Sequence, residues 1–377
     1  MKIAVNTRFL IKSQMEGMGR FSLEVLKRMV TKHPEHEFYF LFDRPYDEDF
    51  VFAKNVHPIV VAPPARHPVL FYLWFEWRVP AVLKKIKADV FVSMDNFCSL
   101  KAKIPTLLII HDLAYLHFPE QIQKKDLWFY RYYTPKYIQK ADRIVTVSAF
   151  TKQDLLENFP VNPEKVDVAC NGCSTNFRPL NPESVDYIRR EVSNGKPYFI
   201  YVGAIHPRKN VGRLIMAFNR YKKQTGASTK LLIIGRKAWM TKEAQKAFKE
   251  SAWKNDILFK GFVPREKLPV YIGAALAMVY VSLFEGFGIP ILEAMHAEVP
   301  VITSNVSSMP EVAGEAGLLV DPYDVESITE AMILIEEDVE LRLELVKKGR
   351  QQRQNFTWNK ASDIVFNNIM QLKGKRS

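Results

Sequence analysis

Three features of the sequence predict an α/β architecture of two doubly wound, Rossmann-like domains. Short, near-continuous apolar runs alternate with amphipathic stretches of helical period, as in a parallel sheet covered on both faces. The alternation breaks once, over residues 176–197, which are rich in Asn, Pro, Ser and Gly, and then restarts. The chain has 377 residues, too many for one domain at roughly 100–200 residues each.

In the first half, Lys2–Asn6, Glu37–Phe42, 89–92, Thr106–Ile110 and 143–147 read as strands. Helical periods lie between them near residues 20–30, 70–87, 125–140 and 151–158. After the break, Tyr198–Val202, Lys230–Ile234, 257–259, 278–281 and 299–303 read as strands with helices between them. The apolar run 270–284 is the longest and contains Gly273 and Ser282. It is shorter than the roughly 18–20 residues of a membrane span, so it reads as a helix end followed by a buried strand. The last stretch, from Trp358, is an amphipathic helix. These elements predict a first domain over 1–185, joined by a returning helix over 358–377, and a second over 186–357. Doubly wound sheets hold ligands at the carboxyl ends of their strands, so the expected site is the cleft between two such domains.

Lys and Arg total 53 against 41 Asp and Glu, a net charge of +12. An anionic partner is implied: nucleic acid, an anionic membrane surface or a phosphorylated small molecule. Residues 1–185 carry 25 basic and 20 acidic side chains and residues 186–377 carry 28 and 21, so no basic arm or tail supports nucleic acid. Three cysteines in a chain of this length argue against a disulfide framework. Cys170 and Cys173 flank Asn171-Gly172, which reads as a turn. The start, a first core strand with no signal-peptide h-region, predicts a cytoplasmic protein.

Five segments carry chemistry. The first, from Phe284 to Met295, follows a buried strand: Gly286 and Gly288 permit a tight turn and Pro290 suits a helix start. Such a helix N-terminus suits phosphate, while Glu285 and Glu293 can accept hydrogen bonds from sugar hydroxyls. In the second, Gly203 leads to Arg208 and Lys209, a fork and a point charge for a diphosphate. In the third, Glu16-Gly17-Met18-Gly19-Arg20 opens a helix after the first strand, but Ser22 stands where the dinucleotide fingerprint needs its third glycine. The fourth, His111-Asp112, ends an apolar strand, where His111 can bind a hydroxyl or take a proton. In the fifth, aromatics from Leu70 to Arg78 interleave with basic residues, and 127–137 repeats the theme. Both read equally as dense core helices or as faces for a lipid interface. No Walker A motif and no histidine spacing suited to a metal occur.

In this order the motifs resemble glycosyltransferase family 4, retaining nucleotide-sugar-dependent enzymes of the GT-B fold. The likeness runs through Gly17–Gly19, His111-Asp112, Val147-Ser148-Ala149-Phe150-Thr151 and Asn171-Gly172. It continues through Gly203 to Asn210, Gly261-Phe262-Val263-Pro264, the E-x7-E pair Glu285 and Glu293, Ser308-Met309-Pro310-Glu311 and residues 317–322. The resemblance implies that Arg208 and Lys209 bind the donor diphosphate and that Glu293 binds the ribose. It implies that Glu285, with the loop Gly286 and the amides of Phe287, Gly288 and Ile289, holds the donor sugar and phosphate. Gly203 belongs to the basic loop, while Arg236, Phe262 and Val263 would lie near the base. His111 would bind the donor sugar, and Gly19 would line the donor phosphate. The unpaired glycines at Met15-Glu16-Gly17 depart from the common form of the first loop.

The expected reaction is transfer of a hexose, with mannose and so GDP-mannose favoured by the Arg-Lys-Asn loop, to a glycan or lipid-linked acceptor in surface polysaccharide synthesis. No metal and no further cofactor are expected, and an anionic inner membrane face is a candidate resting place. Two other readings keep the same fold: a nucleotide-sugar epimerase, and a non-catalytic glycan-binding partner.

Overall fold

The computed structural model describes residues 1–12, 15, 17–65, 68–236 and 241–374. Glu16 of the first glycine loop and residues 375–377 of the terminal segment lie outside the described residues. The chain divides into two compact units, 1–171 with 357–377, and 172–356. The first unit thus ends at 171 rather than at the 185 that the sequence predicts, because the segment that follows packs on the second unit.

The first unit is built on seven parallel strands: β1 (Lys2–Asn6), β2 (Glu37–Phe42), β3 (Val56–Val60), β4 (Val90–Ser93), β5 (Thr106–Ile110), β6 (Arg143–Thr146) and β7 (Val166–Val168). Their order is β3-β2-β1-β4-β5-β6-β7. The second has six: β8 (Tyr198–Val202), β9 (Lys230–Ile234), β10 (Ile257–Gly261), β11 (Ala277–Tyr280), β12 (Val301–Ser304) and β13 (Gly317–Val320), ordered β10-β9-β8-β11-β12-β13. Both sheets are parallel, and β4, β5, β8 and β11 are buried along their whole length. Three edge strands escaped the sequence reading. Pro58 and partly exposed positions interrupt the apolar run of β3, and β7 is three residues long with Asp167 at its middle. β13 is buried only at Val320.

The stretch 176–197, expected to be irregular, contains the helix Pro182–Ser193. Asn181 accepts a hydrogen bond from the Ser184 amide and so caps its start, and Asn194 closes it in the left-handed region. Only Val192 and Ser193 of this helix are buried, so little apolar period marks it in the sequence. Arg189 donates to the Ala274 carbonyl at 3.0 Å, which ties the helix to the second unit.

Residues 68–86 form one rod with a break. The helices Pro68–Leu73 and Val79–Ile86 flank a π turn, Trp74–Arg78. There the buried Glu76 carboxylate receives the amides of Leu100 and Lys101 at 3.0 Å each. The inner side chains Phe71, Trp74 and Phe75 join Phe129 and Tyr137 of the helix Lys124–Lys140 in the core. Inner faces of both aromatic segments are therefore core.

The helix Trp358–Gln371 packs on the helix Gly17–Lys32 of the same unit. Ser362 donates to the Val25 carbonyl at 3.1 Å, Lys32 pairs with Asp363 at 2.7 Å, and the Phe21 and Trp358 rings meet edge to face at 6.2 Å. The last helix of the chain thus completes the first unit. No described helix is long and apolar enough to cross a membrane.

Candidate functional site

In the second unit the strand order puts the carboxyl ends of β10, β9, β8 and β11 in sequence along one sheet edge. After β8 the chain makes a short turn, Pro207–Lys209, and Asn210 enters the left-handed region at φ 60° to start the helix Val211–Thr225. Asn210 is buried, and its amide donates to the Val281 carbonyl at 3.0 Å and the Pro322 carbonyl at 2.7 Å. The Leu283 amide donates to the Arg208 carbonyl at 2.7 Å, so the basic loop is sewn to the segment after β11.

This seam brings Arg208, Lys209 and Glu285 together. The Lys209 ammonium forms an ion pair with Glu285 and donates to the Tyr280 hydroxyl at 3.1 Å. The Tyr280 hydroxyl donates to the same Glu285 oxygen at 2.8 Å. The Arg208 guanidinium donates to the Phe284 carbonyl at 3.3 Å. Burial on its own would raise the Glu285 carboxyl, but the charges of Lys209 and Arg208 outweigh it and hold the group below its ordinary value. Burial pushes the Tyr280 phenol well above its usual range, and the neighbouring Glu285 charge adds to this. It therefore stays a neutral donor. Burial, then Arg208 and Lys209, lowers His206 and disfavours a third cation on the loop.

The loop after Glu285 is held from beneath. The Ser308 hydroxyl lies 2.9 Å from the Glu285 and Phe287 carbonyl oxygens, and the Glu285 amide donates to Ser307 at 3.1 Å. Gly288 stands at φ 104°, a conformation costly for any residue with a Cβ, and there the chain turns into the helix Ile289–His296 with Pro290 in its first turn. A helix start beside two cations favours a bound anion. Glu293, buried within that helix, is 3.5 Å from Arg265. Arg236 is exposed directly after β9 and Gly235, while past β10 Phe262 is 72 % exposed and Val263 is buried. The Gly203 amide donates to the Ile234 carbonyl at 2.9 Å.

In the first unit, His111 sits at the end of β5, 8 % exposed. Its amide donates to the Asn96 side-chain oxygen at 2.8 Å, and its Nε2 lies 2.9 Å from the Met94 carbonyl. A carbonyl only accepts, so Nε2 carries the proton; burial lowers the ring's proton affinity and keeps it neutral. Nδ1 is then an acceptor suited to a hydroxyl. Gly19 lies buried in the helix Gly17–Lys32, where a Cβ would come within 2.6 Å of the Phe9 carbonyl oxygen. Packing against the β1 loop therefore accounts for this glycine.

The sequence reading overlooked Tyr280, Asn210 as an anchor, Arg265 and the Ser307-Ser308 cradle. Tyr280 looks like an ordinary strand residue, and only the register of β11 aims its hydroxyl at Glu285. Cys98, Cys170 and Cys173 form no disulfide. Among the described residues no three His, Cys, Asp or Glu side chains group to hold a metal.

Comparison with known proteins identifies the family. Residues 15–177 match the model of Glycosyltransferase Family 4, and residues 186–352 match that of Glycosyl transferases group 1. The chain is 28% identical over 367 residues to O-antigen chain mannosyltransferase B of Escherichia coli, covering 95% of this chain and 96% of that one. It is 27% identical over 300 residues to O-antigen chain mannosyltransferase RfbU of Salmonella typhimurium, covering 78% and 79% of the two chains. The Anabaena Alr3699/HepE crystal structure with UDP and glucose superposes with a TM-score of 0.77 at 15% identity, over 98% of this chain and 100% of that one. With a family 4 domain followed by a group 1 domain, each on its own parallel sheet, the chain belongs to the glycosyltransferases.

Proposed function

We propose that this glycosyltransferase moves a hexose, with mannose favoured, from a nucleoside diphosphate sugar to a glycan or lipid-linked glycan acceptor in surface polysaccharide synthesis. The observation that carries the donor assignment is the pair of cations beside the helix start at Gly288, Lys209 paired with Glu285 and Arg208 held at the Phe284 carbonyl. The names of the two O-antigen chain mannosyltransferases support mannose as the transferred hexose and a polysaccharide as the acceptor class.

In the proposed step the bond between the anomeric carbon and the diphosphate oxygen breaks, and the acceptor oxygen bonds to that carbon from the same face. The acceptor proton passes to the departing phosphate oxygen, so configuration is retained. Arg208, Lys209 and the amides of Phe287, Gly288 and Ile289 stabilise the charge that develops on the diphosphate. Glu285 and Glu293 accept from sugar and ribose hydroxyls, His111 accepts from a hexose hydroxyl through Nδ1, and Phe262 offers an exposed ring to the base. The positive charges carried by the protein serve where a metal would otherwise be needed, so turnover should persist in EDTA. The reaction belongs on the cytoplasmic side of an anionic membrane, where sugar nucleotides and lipid-linked acceptors meet.

A thermal-shift series with GDP, UDP and ADP tests the donor, because a ligand at 100 times its Kd stabilises by about 2.7 kcal/mol. Stabilisation by GDP above the others supports the reading, and indifference to all three overturns it. Product analysis with GDP-mannose and no acceptor then separates transfer from epimerisation.

A further inference from the structure

The two aromatic segments of the first unit have an outer face as well as a core face. Trp77 is 58% exposed, Leu73 39%, Trp128 63% and Tyr132 47%. The rings of the two helices meet through Tyr72 and Tyr133. Trp128 and Tyr132, one turn apart on the helix Lys124–Lys140, stack with centroids 5.3 Å apart. Tyr132 meets Tyr133 at 4.9 Å, and Tyr133 reaches Tyr72, beside Leu73, at 6.2 Å. Trp128, joined through these rings to the first helix, forms a patch of the kind that marks an interaction surface, and Trp77 is exposed four residues beyond Leu73.

Cations sit on this patch by construction. The Lys136 ammonium lies 3.3 Å from the centre of the Tyr132 ring, and the Lys101 ammonium lies 3.8 Å from that of Trp77. Lys101 is fixed from its backbone, since its amide donates to the buried Glu76 carboxylate of the π turn at 3.0 Å. The helix Lys124–Lys140 carries five basic side chains and one acidic one, and Lys84, Lys85 and Lys87 are exposed where the other rod ends.

We propose that this face docks the first unit onto an anionic lipid bilayer, the rings entering the headgroup layer and the lysines meeting lipid phosphates. Trp and Tyr suit that layer because one part of each ring system is apolar and another is polar. The cations are predominantly lysine, which protein–protein interfaces disfavour and anionic membrane surfaces attract. The charge supplies the complementarity, and the lipid-linked acceptor of the proposed function supplies only the biological setting.

The test is co-sedimentation of the full chain with phosphatidylcholine vesicles, with and without phosphatidylglycerol, in the absence of donor and acceptor. Binding that requires phosphatidylglycerol, weakens with added salt and shifts tryptophan emission to the blue supports the proposal. The double variants Trp128→Ser/Tyr132→Ser and Lys124→Glu/Lys136→Glu should each lower partitioning by on the order of tenfold. Their melting temperatures and GDP binding should be unchanged, which shows that the fold survives. Absence of binding, equal binding to neutral vesicles, or wild-type partitioning of both variants overturns the proposal. So does a patch whose loss abolishes self-association or RNA binding but not vesicle binding. Vesicle binding without GDP binding would instead refute the donor assignment and leave the docking face standing.

Discussion

The Tyr280 hydroxyl donates to Glu285 at 2.8 Å while accepting from Lys209 at 3.1 Å, so one buried phenol holds both members of an ion pair. Each of the three groups restrains the other two. The predicted effect of Tyr280→Phe follows from a lost bond to a charged group, worth about 1.5–3 kcal/mol. Turnover should fall roughly tenfold or more by that amount. Donor KM should change less than kcat, because the diphosphate keeps both cations. Steady-state kinetics reads this split, and an unchanged kcat would show that the phenol only fills space.

Lys209 is expected to matter more. Lys209→Ala removes a cation from the departing diphosphate and should lower kcat by on the order of 10²–10³. Single-turnover measurement with saturating donor isolates that step. Wild-type turnover in this variant would remove the basic loop from the mechanism.

The same pair has a pH signature. Glu285 titrates below its ordinary value of 4.5 in the folded protein. A carboxyl lowered by folding contributes stability that is complete above its unfolded value and is lost as pH falls through its folded value. The stability advantage of wild type over Lys209→Ala should therefore be full at neutral pH and shrink as pH falls below about 5, through the lowered folded value of Glu285. Melting curves of both proteins across that window decide the point. An advantage that grows with acid would contradict the ion pair.

Gly288 is a test of the helix start. At φ 104°, with Ile291 3.1 Å from where a Cβ would stand, Gly288→Ala should destabilise the second unit by about 1–3 kcal/mol. Nucleotide binding should weaken too, since the Phe287–Ile289 amides would shift. Urea titration and GDP binding measured on the same samples check both.

Trp358 tests the terminal helix. It is 2% exposed and lies against Phe21, so Trp358→Ala should cost about 3–5 kcal/mol, read by urea unfolding. A smaller loss would mean that the helix rests on the unit without sharing its core.

Much of the fold was legible because buried parallel strands leave long apolar runs. β5 and β8 are buried at every position and stand out in the sequence for that reason. The edge strands β3, β7 and β13 do not, because solvent on one side releases them from an apolar pattern. The helix Pro182–Ser193 was missed on the same ground: it is mostly solvated, and only its Asn181 cap and Asn194 ending mark it. The site was legible where backbone demands special residues, at Gly288 and Pro290, and where charge clusters in sequence, at Arg208 and Lys209.

By itself the sequence determined two parallel-sheet domains, the glycine-led helix start and the identity of its charged neighbours, since these depend on local period and backbone freedom. Tertiary structure alone decided that Lys209 and Tyr280 would converge on one oxygen of Glu285, and that Asn210 would tie its loop to Val281 and Pro322. It also decided which aromatic faces became core and which remained outside. Those outcomes depend on strand register and on helix rotation. Both follow from packing between residues far apart in the chain, which no local pattern records.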